Sequence, residues 1–296
     1  MQSSEVHIRP ATERDLPRVG AIWYQAVAGV AAGAPPWVPS LYPHELASQE
    51  LYVAERGGEV AAFGAVVHRG RVAFLADLFV AAEHRSTGVG KQLLGHILPP
   101  AGHTCCTVSS DDPRALPLYA RAGMRPWYPQ LQLRADLARV RLEPGPSVEL
   151  IELEDVDGEY LRWDAEIGGR ARPEDHRYWR RARGGRPCWF VRDDRVVGYG
   201  LAQTRSDDLV ASPDAVTLGP IGVRDPADAV ACVLAAVGWA RGYGRGARIS
   251  LTGPHPALAP LLDAGFQLVE REIFCLSAEA PFFDARCYLP SGSDLF

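Results

Sequence analysis

The chain has 296 residues, 47% of them apolar, so it can bury a substantial core, and its length is closer to that of two domains than of one. Its formal net charge is -5 and its arginines are scattered, which speaks against a nucleic-acid partner and favours a small molecule. The sequence shows neither a leader-like apolar segment near its start nor an apolar run of membrane-spanning length. We therefore expect a cytoplasmic protein with no membrane partner.

The six cysteines give no sign of a metal site or of a disulfide framework. None forms a Cys-x-x-Cys pair, and Cys105 and Cys106 are adjacent, which suits neither zinc nor an ordinary disulfide. We therefore expect reduced, buried thiols and no bound metal.

The first half of the sequence predicts a mixed sheet with helices on both faces. A strand over 6–9 leads into a helix that Thr12 can cap. The apolar face of that helix consists of Leu16, Val19, Ile22, Trp23 and Val27. Residues 29–43, rich in proline, glycine and aromatic residues, predict a loop, which a brief helix over 44–49 follows. The remaining elements are strands over 51–56, 60–68, 72–80, 104–108 and 129–133, a helix after the glycines of 85–91, and a helix that opens at Asp112-Pro113.

The same order of elements returns in the second half. Its predicted elements are strands over 148–153, 188–192, 196–204, 215–223, 247–251 and 267–276 and helices over 155–167, 173–183, 227–241 and 256–264. The segment 115–124 also aligns with 257–266 without a gap. We infer two copies of one α/β (α+β) fold, in domains 1–143 and 147–296 with a Pro-Gly-Pro linker between them, and a docked tail over 278–296.

The run between the strand over 72–80 and the next helix is built like a cradle for a pyrophosphate. Gly88 and Gly90 let the backbone approach an anion closely, and the helix that follows directs the positive end of its dipole to the same place. Arg85 and Lys91, the only lysine of the chain, add full positive charges. The alternative is a glycine-rich turn that caps an ordinary helix.

The first half contains two short motifs, one from Arg85 to Gly90 and one from Leu118 to Met124. Both resemble motifs of the GCN5-related N-acetyltransferase (GNAT) superfamily. Arg85, Gly88 and Gly90 fit the family's Gln/Arg-x-x-Gly-x-Gly/Ala motif after the fourth strand. A second motif is matched by Leu118-Tyr119 together with Gly123-Met124. The resemblance covers the first half almost end to end, and the chain also looks like tandem members of the family. It implies two tandem GNAT folds, each a mixed, mostly antiparallel sheet flanked by helices, with a degenerate C-terminal copy.

The resemblance implies that the first copy binds acetyl-CoA and uses no metal. The loop amides would hold the pyrophosphate, and the end of the fourth strand would pair with the pantetheine arm while an amide near Phe79 polarises the acyl carbonyl. Asp112 would bond the cofactor arm where many relatives keep an asparagine, or would serve only as a helix cap. The implied cofactor-binding residues are Leu78, Phe79, Val80, Arg85, Ser86, Thr87, Gly88, Val89, Gly90, Lys91 and Asp112.

The second motif also supplies the implied general acid, Tyr119, whose phenol would protonate the departing thiolate. The alternative is a tyrosine that only packs on its helix. Asp77 on the fourth strand is the candidate base, acting through a water chain, unless it is a solvated residue on the face of the strand. His44 and Glu45 are weaker candidates, for which we expect surface positions.

Aromatic residues near the predicted loop over 29–43 are implied to form the wall of the acceptor site. Trp23, Trp37 and Tyr42 indicate an apolar or ring-bearing acceptor. Each could instead belong to the core: Trp23, on the face of its helix, is the better core candidate, and Trp37, between prolines, is the better pocket candidate.

The second copy lacks the residues of this chemistry. The corresponding run lacks the paired glycines, and Asp225 and Asp228 place negative charge at the helix N-terminus, which suits a helix cap and repels a pyrophosphate. Leu261 aligns with Tyr119 and has no proton to donate. The second copy is therefore expected to be structural or to shape the acceptor pocket.

The sequence thus predicts an N-acetyltransferase that transfers an acetyl group from acetyl-CoA to the amine of a small-molecule acceptor, by direct attack in a ternary complex. One alternative is a non-catalytic protein that binds acyl-CoA and regulates another process. Another is a GNAT-like enzyme that acts on acyl groups held by a carrier protein. The expected state is a monomer or a homodimer.

Overall fold

A computed structural model describes residues 5–28, 38–142, 148–205, 214–293 and 295–296. The chain separates into two compact units, Met1–Thr107 and Val108–Phe296. Across these described segments, no helix is long and apolar enough to cross a membrane.

The first unit combines a five-stranded sheet with three α-helices in its described residues. The strands are β1 (Val6–Pro10), β2 (Leu51–Arg56), β3 (Glu59–Arg69), β4 (Val72–Val80) and β5 (Thr104–Ser109), the last of which runs past the end of the unit. The helices are α1 (Leu16–Ala28), α2 (Leu41–Ala47) and α3 (Val89–Ile97). Neighbouring strands follow one another in chain order and are antiparallel, except β4 and β5, which are parallel.

The core of the first unit lies where α1 and α3 contact β3. Val19 and Ile22 of α1 are buried there, as the predicted apolar face requires. Gly64 of β3 lets α3 approach closely, because a Cβ atom at this position would lie 2.9 Å from Ile97 Cδ1. The prediction was wrong for Val27, which is 52% exposed in the last turn of α1.

The second unit is larger and contains five α-helices and eight strands in its described residues. Its helices are α4 (Ala115–Arg121), α5 (Gly158–Ile167), α6 (Pro173–Ala182), α7 (Ala229–Ala240) and α8 (Leu258–Asp263). Its strands are β6 (Arg125–Asp136), β7 (Glu149–Glu152), β8 (Gly185–Arg192), β9 (Arg195–Gln203), β10 (Ala215–Val223), β11 (Gly246–Thr252), β12 (Gln267–Leu276) and β13 (Tyr288–Leu289). Of these, β10 and β11 are parallel and the other pairs are antiparallel.

Strand β6 belongs to the first sequence copy but lies in the second compact unit. It pairs with β11 on one side and β12 on the other, so that Leu133 has both Ile249 and Leu268 as register partners. Along the second unit the strand order is β12-β6-β11-β10-β9-β8-β7, with β13 on β10. The compact units therefore divide the chain at 107/108, whereas the sequence repeat divides it near a linker that falls outside the described residues.

The tail over 278–296 is docked, as predicted. Tyr288, Leu289 and Phe296 are fully buried, and β13 pairs with β10. The chain is thus a mixed α/β fold in which the order strand, two helices, three strands, helix, strand, helix, strand occurs twice. This is the tandem architecture that the sequence predicts.

Candidate active site

The predicted anion loop leads from β4 into the first turn of α3. Ser86 and Gly88 have positive φ angles, 61° and 87°, and α3 begins at the next residue, Val89. The first amide in this region with a backbone acceptor is that of Gln92, which donates to Gly88 O (3.1 Å). Within the described chain, the amides of residues 86–91 make no backbone hydrogen bond, as expected of a helix N-terminus. This concentration of unused donors can bind an anion.

The charged side chains of the loop are exposed to solvent. Arg85 Nε donates to Val80 O over 3.3 Å, and Lys91 is exposed on the first turn of α3. Gly90 allows close packing of α3 on β4, because a Cβ atom here would lie 3.1 Å from Val80 Cγ2. Thr87 is held by its hydroxyl, which donates to His84 O (2.6 Å). The loop is therefore a positively charged surface with a defined backbone.

The last residues of β4 leave one strand edge open within the first unit. β4 pairs with β5 only from Val72 to Leu75, whereas it pairs with β3 as far as Val80. Leu78, Phe79 and Val80 are half-buried, and the Phe79 ring stacks on Phe63 with centroids 5.4 Å apart. An extended ligand could pair with this edge as an additional strand, directly before the anion loop.

Asp77 occupies the same end of β4 but is buried. It is 8% exposed and lies opposite Ala65 of β3 in the strand register. The alternative of a solvated face residue is therefore wrong. Glu45 is also fully buried in α2, contrary to the expected surface position, while His44 is half-buried. Periodicity could not reveal this, because the helix that carries Glu45 has only seven residues.

The candidate acid and Asp112 belong to the second unit. Asp112 lies in the turn before α4: its Oδ1 accepts from the Arg114 amide (2.9 Å), and both carboxylate oxygens accept from the Arg114 guanidinium (2.9 and 2.5 Å). These contacts hold the turn before the helix, whose N-cap residue is Arg114. Tyr119 is 7% exposed on α4, and its carbonyl accepts from the Met124 amide (3.0 Å) after a turn at Gly123 with φ 90°. The second motif therefore fixes the backbone around Tyr119.

The predicted acceptor residues lie mainly in the core. Trp23 is 7% exposed on α1, and Tyr42 is 1% exposed on α2 with its ring edge-on to Phe63 at 5.2 Å. Their burial favours the packing alternative. Trp37 lies outside the described residues.

The corresponding helix N-terminus of the second copy is occupied by carboxylates. Asp225 Oδ1 accepts from the Ala227 amide (2.9 Å), and Asp228 forms an ion pair with Arg192. Leu261, aligned with Tyr119, is completely buried. The negative charge expected at this helix N-terminus is therefore present, and it opposes phosphate binding.

The second unit contains a buried ion cluster that was not predicted from the sequence. The Arg172 guanidinium donates to Asp164 over 2.6 and 2.9 Å, and His176 Nε2 lies 3.0 Å from the same carboxylate. Burial alone would raise the pKa of Asp164, but Arg172 and His176 outweigh it and hold that pKa well below its usual value. The spacing of residues along α5 could have indicated that Asp164 is buried, because Asp164 lies on the same face of the helix as Tyr160 and Ile167.

Cysteine thiols and clusters of metal-ligating side chains are further features that could form a site. The six cysteines all lie in the described part of the chain and form no disulfide; five are buried and Cys105 is half-buried. The described segments contain no group of three or more His, Cys, Asp or Glu side chains placed to hold a metal ion.

Comparison with known proteins finds a family model that matches part of the chain. The acetyltransferase (GNAT) family model matches residues 22–124, a segment that contains β4, the anion loop, α3 and Tyr119. This segment of the first half is therefore similar to the GNAT family. No curated protein matches the chain.

Solved structures extend the GNAT likeness to the whole chain at the level of the fold. A Pyrococcus horikoshii protein assigned as an acetyltransferase has a TM-score of 0.76 at 16% identity, covering 100% of this chain and 97% of its own. A tandem GNAT protein from the clavulanic acid biosynthesis pathway has a TM-score of 0.63 at 17% identity, covering 94% and 99%. A GCN5-related N-acetyltransferase from Sphaerobacter thermophilus has a TM-score of 0.55 at 18% identity, covering 95% and 98%. The fold of the chain is therefore similar to the folds of these proteins along nearly its whole length.

Proposed function

We propose that the chain transfers an acetyl group from acetyl-CoA to the amine of a small-molecule acceptor. The observation that carries the proposal is the anion loop, where the unused amides of residues 86–91 lie beside the positive charges of Arg85 and Lys91. The open edge of β4 precedes this loop, so a ligand with an extended arm and a pyrophosphate fits both features. Acetyl-CoA has this combination. We assign cofactor binding to the first sequence copy, in domain 1–143, and structural roles to the second copy, in 147–296.

In this proposal, the amine attacks the thioester directly in a ternary complex. A backbone amide near Phe79 polarises the acyl carbonyl, and Tyr119 protonates the thiolate as the carbon–sulfur bond breaks. Asp77, buried on β4, accepts the amine proton through water. Asp112 holds the turn before α4. We expect a cytoplasmic monomer or homodimer that uses no metal.

The test is release of CoA thiol from acetyl-CoA in the presence of a broad panel of small amines. Tyr119→Phe should lower kcat roughly 100-fold, because the leaving thiolate loses its proton donor. The Kd for CoA should stay within about twofold, since the phenol does not bind the pyrophosphate.

Tyr243→Phe is the matched control, because it removes a phenol that bonds Glu152 in the second copy and should leave turnover unchanged. Tight CoA binding with no turnover on any amine would replace the enzyme proposal with a regulatory acyl-CoA-binding protein. Equal kcat for Tyr119→Phe and the wild type would remove Tyr119 from the chemistry.

A further inference from the structure

In each sequence copy, two parallel strands pair over four residues and then stop pairing. Within the described residues, another part of the chain pairs with the freed strand edge only in the second copy. In the first, β4 and β5 are paired as far as Leu75 and Thr107, and the following residues of β4 have no partner strand on that edge within the first unit. In the second, β10 and β11 are paired as far as Leu218 and Ile249. Beyond that point, β13 lies along β10.

The backbone of the tail takes the place of an additional strand on β10. Ile221 and Gly222 pair with Leu289 and Tyr288 in antiparallel register. The Val223 amide then donates to Cys287 O over 2.9 Å. This end of β10 corresponds to the last three residues of β4, because both strands have nine residues and end at the loop before a helix. The tail thus pairs where the first copy leaves an edge for an extended ligand.

Two glycines make room for the backbone of the tail. A Cβ atom at Gly219, where φ is 145°, would lie 2.2 Å from Pro290 O. A Cβ atom at Gly169, where φ is 73°, would lie 1.9 Å from Phe282 O. Any side chain at either site would overlap a carbonyl of the tail, so the second unit is shaped around this segment.

The end of the described tail is held by buried polar groups. The Phe296 carbonyl oxygen accepts from Arg172 Nη1 (2.8 Å), from the Tyr288 hydroxyl (3.0 Å) and from Arg170. Arg172 is itself fixed by Asp164, whose carboxylate also accepts from the Tyr199 hydroxyl (2.7 Å). The ion cluster therefore positions a donor for the tail.

Aromatic packing completes the attachment. The Phe296 ring stacks on Phe274 with centroids 4.6 Å apart and meets Phe283 at 5.2 Å. The Arg170 guanidinium lies over the Phe282 ring at 5.4 Å. Backbone pairing, hydrogen bonds and aromatic contacts together resemble the binding of a peptide to a strand edge.

We propose that the tail over 278–296 is a built-in ligand of the second copy. It occupies the groove beside β10 and leaves the edge of β4 as the one groove of this kind open to an extended ligand in the described chain. Identification of that ligand as acyl-CoA rests on the proposed function. The chain then binds one acyl-CoA, in its first copy.

The test is to cut the folded, full-length protein at a protease site inserted between Glu279 and Ala280, both of which are exposed. The detached segment should remain with the rest of the chain on size exclusion without denaturant, and the Val223 amide should stay protected from hydrogen exchange. Spontaneous loss of the segment, or rapid exchange at Val223 while it is bound, would overturn the proposal.

Gly169→Ala in the cut protein should weaken retention of the segment by about tenfold or more, since it introduces a clash with Phe282 O. Gly265→Ala is the matched control: its φ of 104° carries a comparable backbone penalty, but the nearest atom to a new Cβ, Arg139 O, is 3.9 Å away. Equal retention in the two variants would contradict the proposed docking.

Titration of the intact protein with CoA separates this proposal from the proposed function. We expect one CoA per chain. Binding of two CoA molecules per chain would show that the second groove is open, and it would overturn the proposal that the tail is a built-in ligand. No binding of CoA together with retention of the cut segment would contradict the acyl-CoA proposal and leave the assignment of the tail supported.

Discussion

His255 shows how one buried side chain can make the stability of the second unit depend on pH. It is 3% exposed between β11 and α8, and its Nδ1 accepts from the Ala257 amide over 3.2 Å. Burial lowers the pKa of His255 from 6.5 to about 4, because the charged imidazolium loses its hydration. The folded chain therefore keeps this histidine neutral where the unfolded chain protonates it.

The sign of the effect follows from proton counts. Between the folded pKa of about 4 and the unfolded value of 6.5, the unfolded state binds more protons, so the free energy of unfolding rises with pH. On going from about pH 7 to about pH 4.5, protonation of His255 in the unfolded state should lower the free energy of unfolding by about 2 kcal/mol. The His255→Asn variant keeps an acceptor but does not titrate. In urea unfolding at the two pH values, its free energy of unfolding should therefore fall by about 2 kcal/mol less than that of the wild type. An identical loss in both proteins would contradict the assigned pKa.

Single residues also show which parts of the site the sequence could predict. Ser86 and Gly88 have the positive φ angles that a loop approaching an anion needs, and glycine spacing predicts such a loop. Burial of Glu45 and Asp77 could not be predicted, because it depends on elements that pack over them from elsewhere in the chain. The conformation of the loop can be predicted from neighbouring residues in the sequence, whereas burial of a side chain depends on tertiary contacts.

At the scale of elements, the negative charge of a single residue should decide whether the N-terminus of α3 holds an anion. Ser86→Asp and Ser86→Asn both tolerate the left-handed φ of 61° at this exposed position, and they differ in charge. The aspartate should raise the Kd for CoA about tenfold, because it opposes the helix dipole and repels the phosphates. The asparagine should change it little. Calorimetric titration measures both.

The two Ser86 variants should have equal melting temperatures, which separates loss of binding from loss of folding. Equal weakening of CoA binding by aspartate and asparagine would mean that the hydroxyl, and not the electrostatic field of the loop, matters. If neither variant weakened CoA binding, the pyrophosphate would not bind at the N-terminus of α3.

Elements with a strong local pattern were predicted closely. The bounds of β2, β4, β10 and β12 agree with the prediction, because apolar strands end there at glycine turns or at loops. The predicted helix over 44–49 is instead Leu41–Ala47, since proline is accepted in the first turn of a helix. β13 was missed, because two residues of a tail become a strand only through pairing with β10.

At the scale of the whole molecule, the position of β6 means that the two sequence copies are not two separate structural units. β6 donates and accepts hydrogen bonds on both edges, to β11 and to β12, which follow it by more than a hundred residues in the chain. No local pattern predicts such partners, because strand pairing over that separation depends on the final packing. A cut at the linker therefore separates β6 from its neighbours while leaving both halves of the repeat complete in sequence.

Fragments 1–142 and 148–296 should consequently fail to fold as independent monomers when each is expressed alone. The first would carry β6 with two unpaired edges, and the second would lack the strand that joins β11 to β12, so both should aggregate or give broad, non-cooperative melting. Coexpression should restore a one-to-one complex that melts cooperatively, because the backbone of β6 can then pair on both sides. The matched control is the intact chain with a protease site in the linker, cut after folding, which should stay assembled. Cooperative melting of either fragment alone would show that its sheet closes without the other copy and would contradict the shared position of β6.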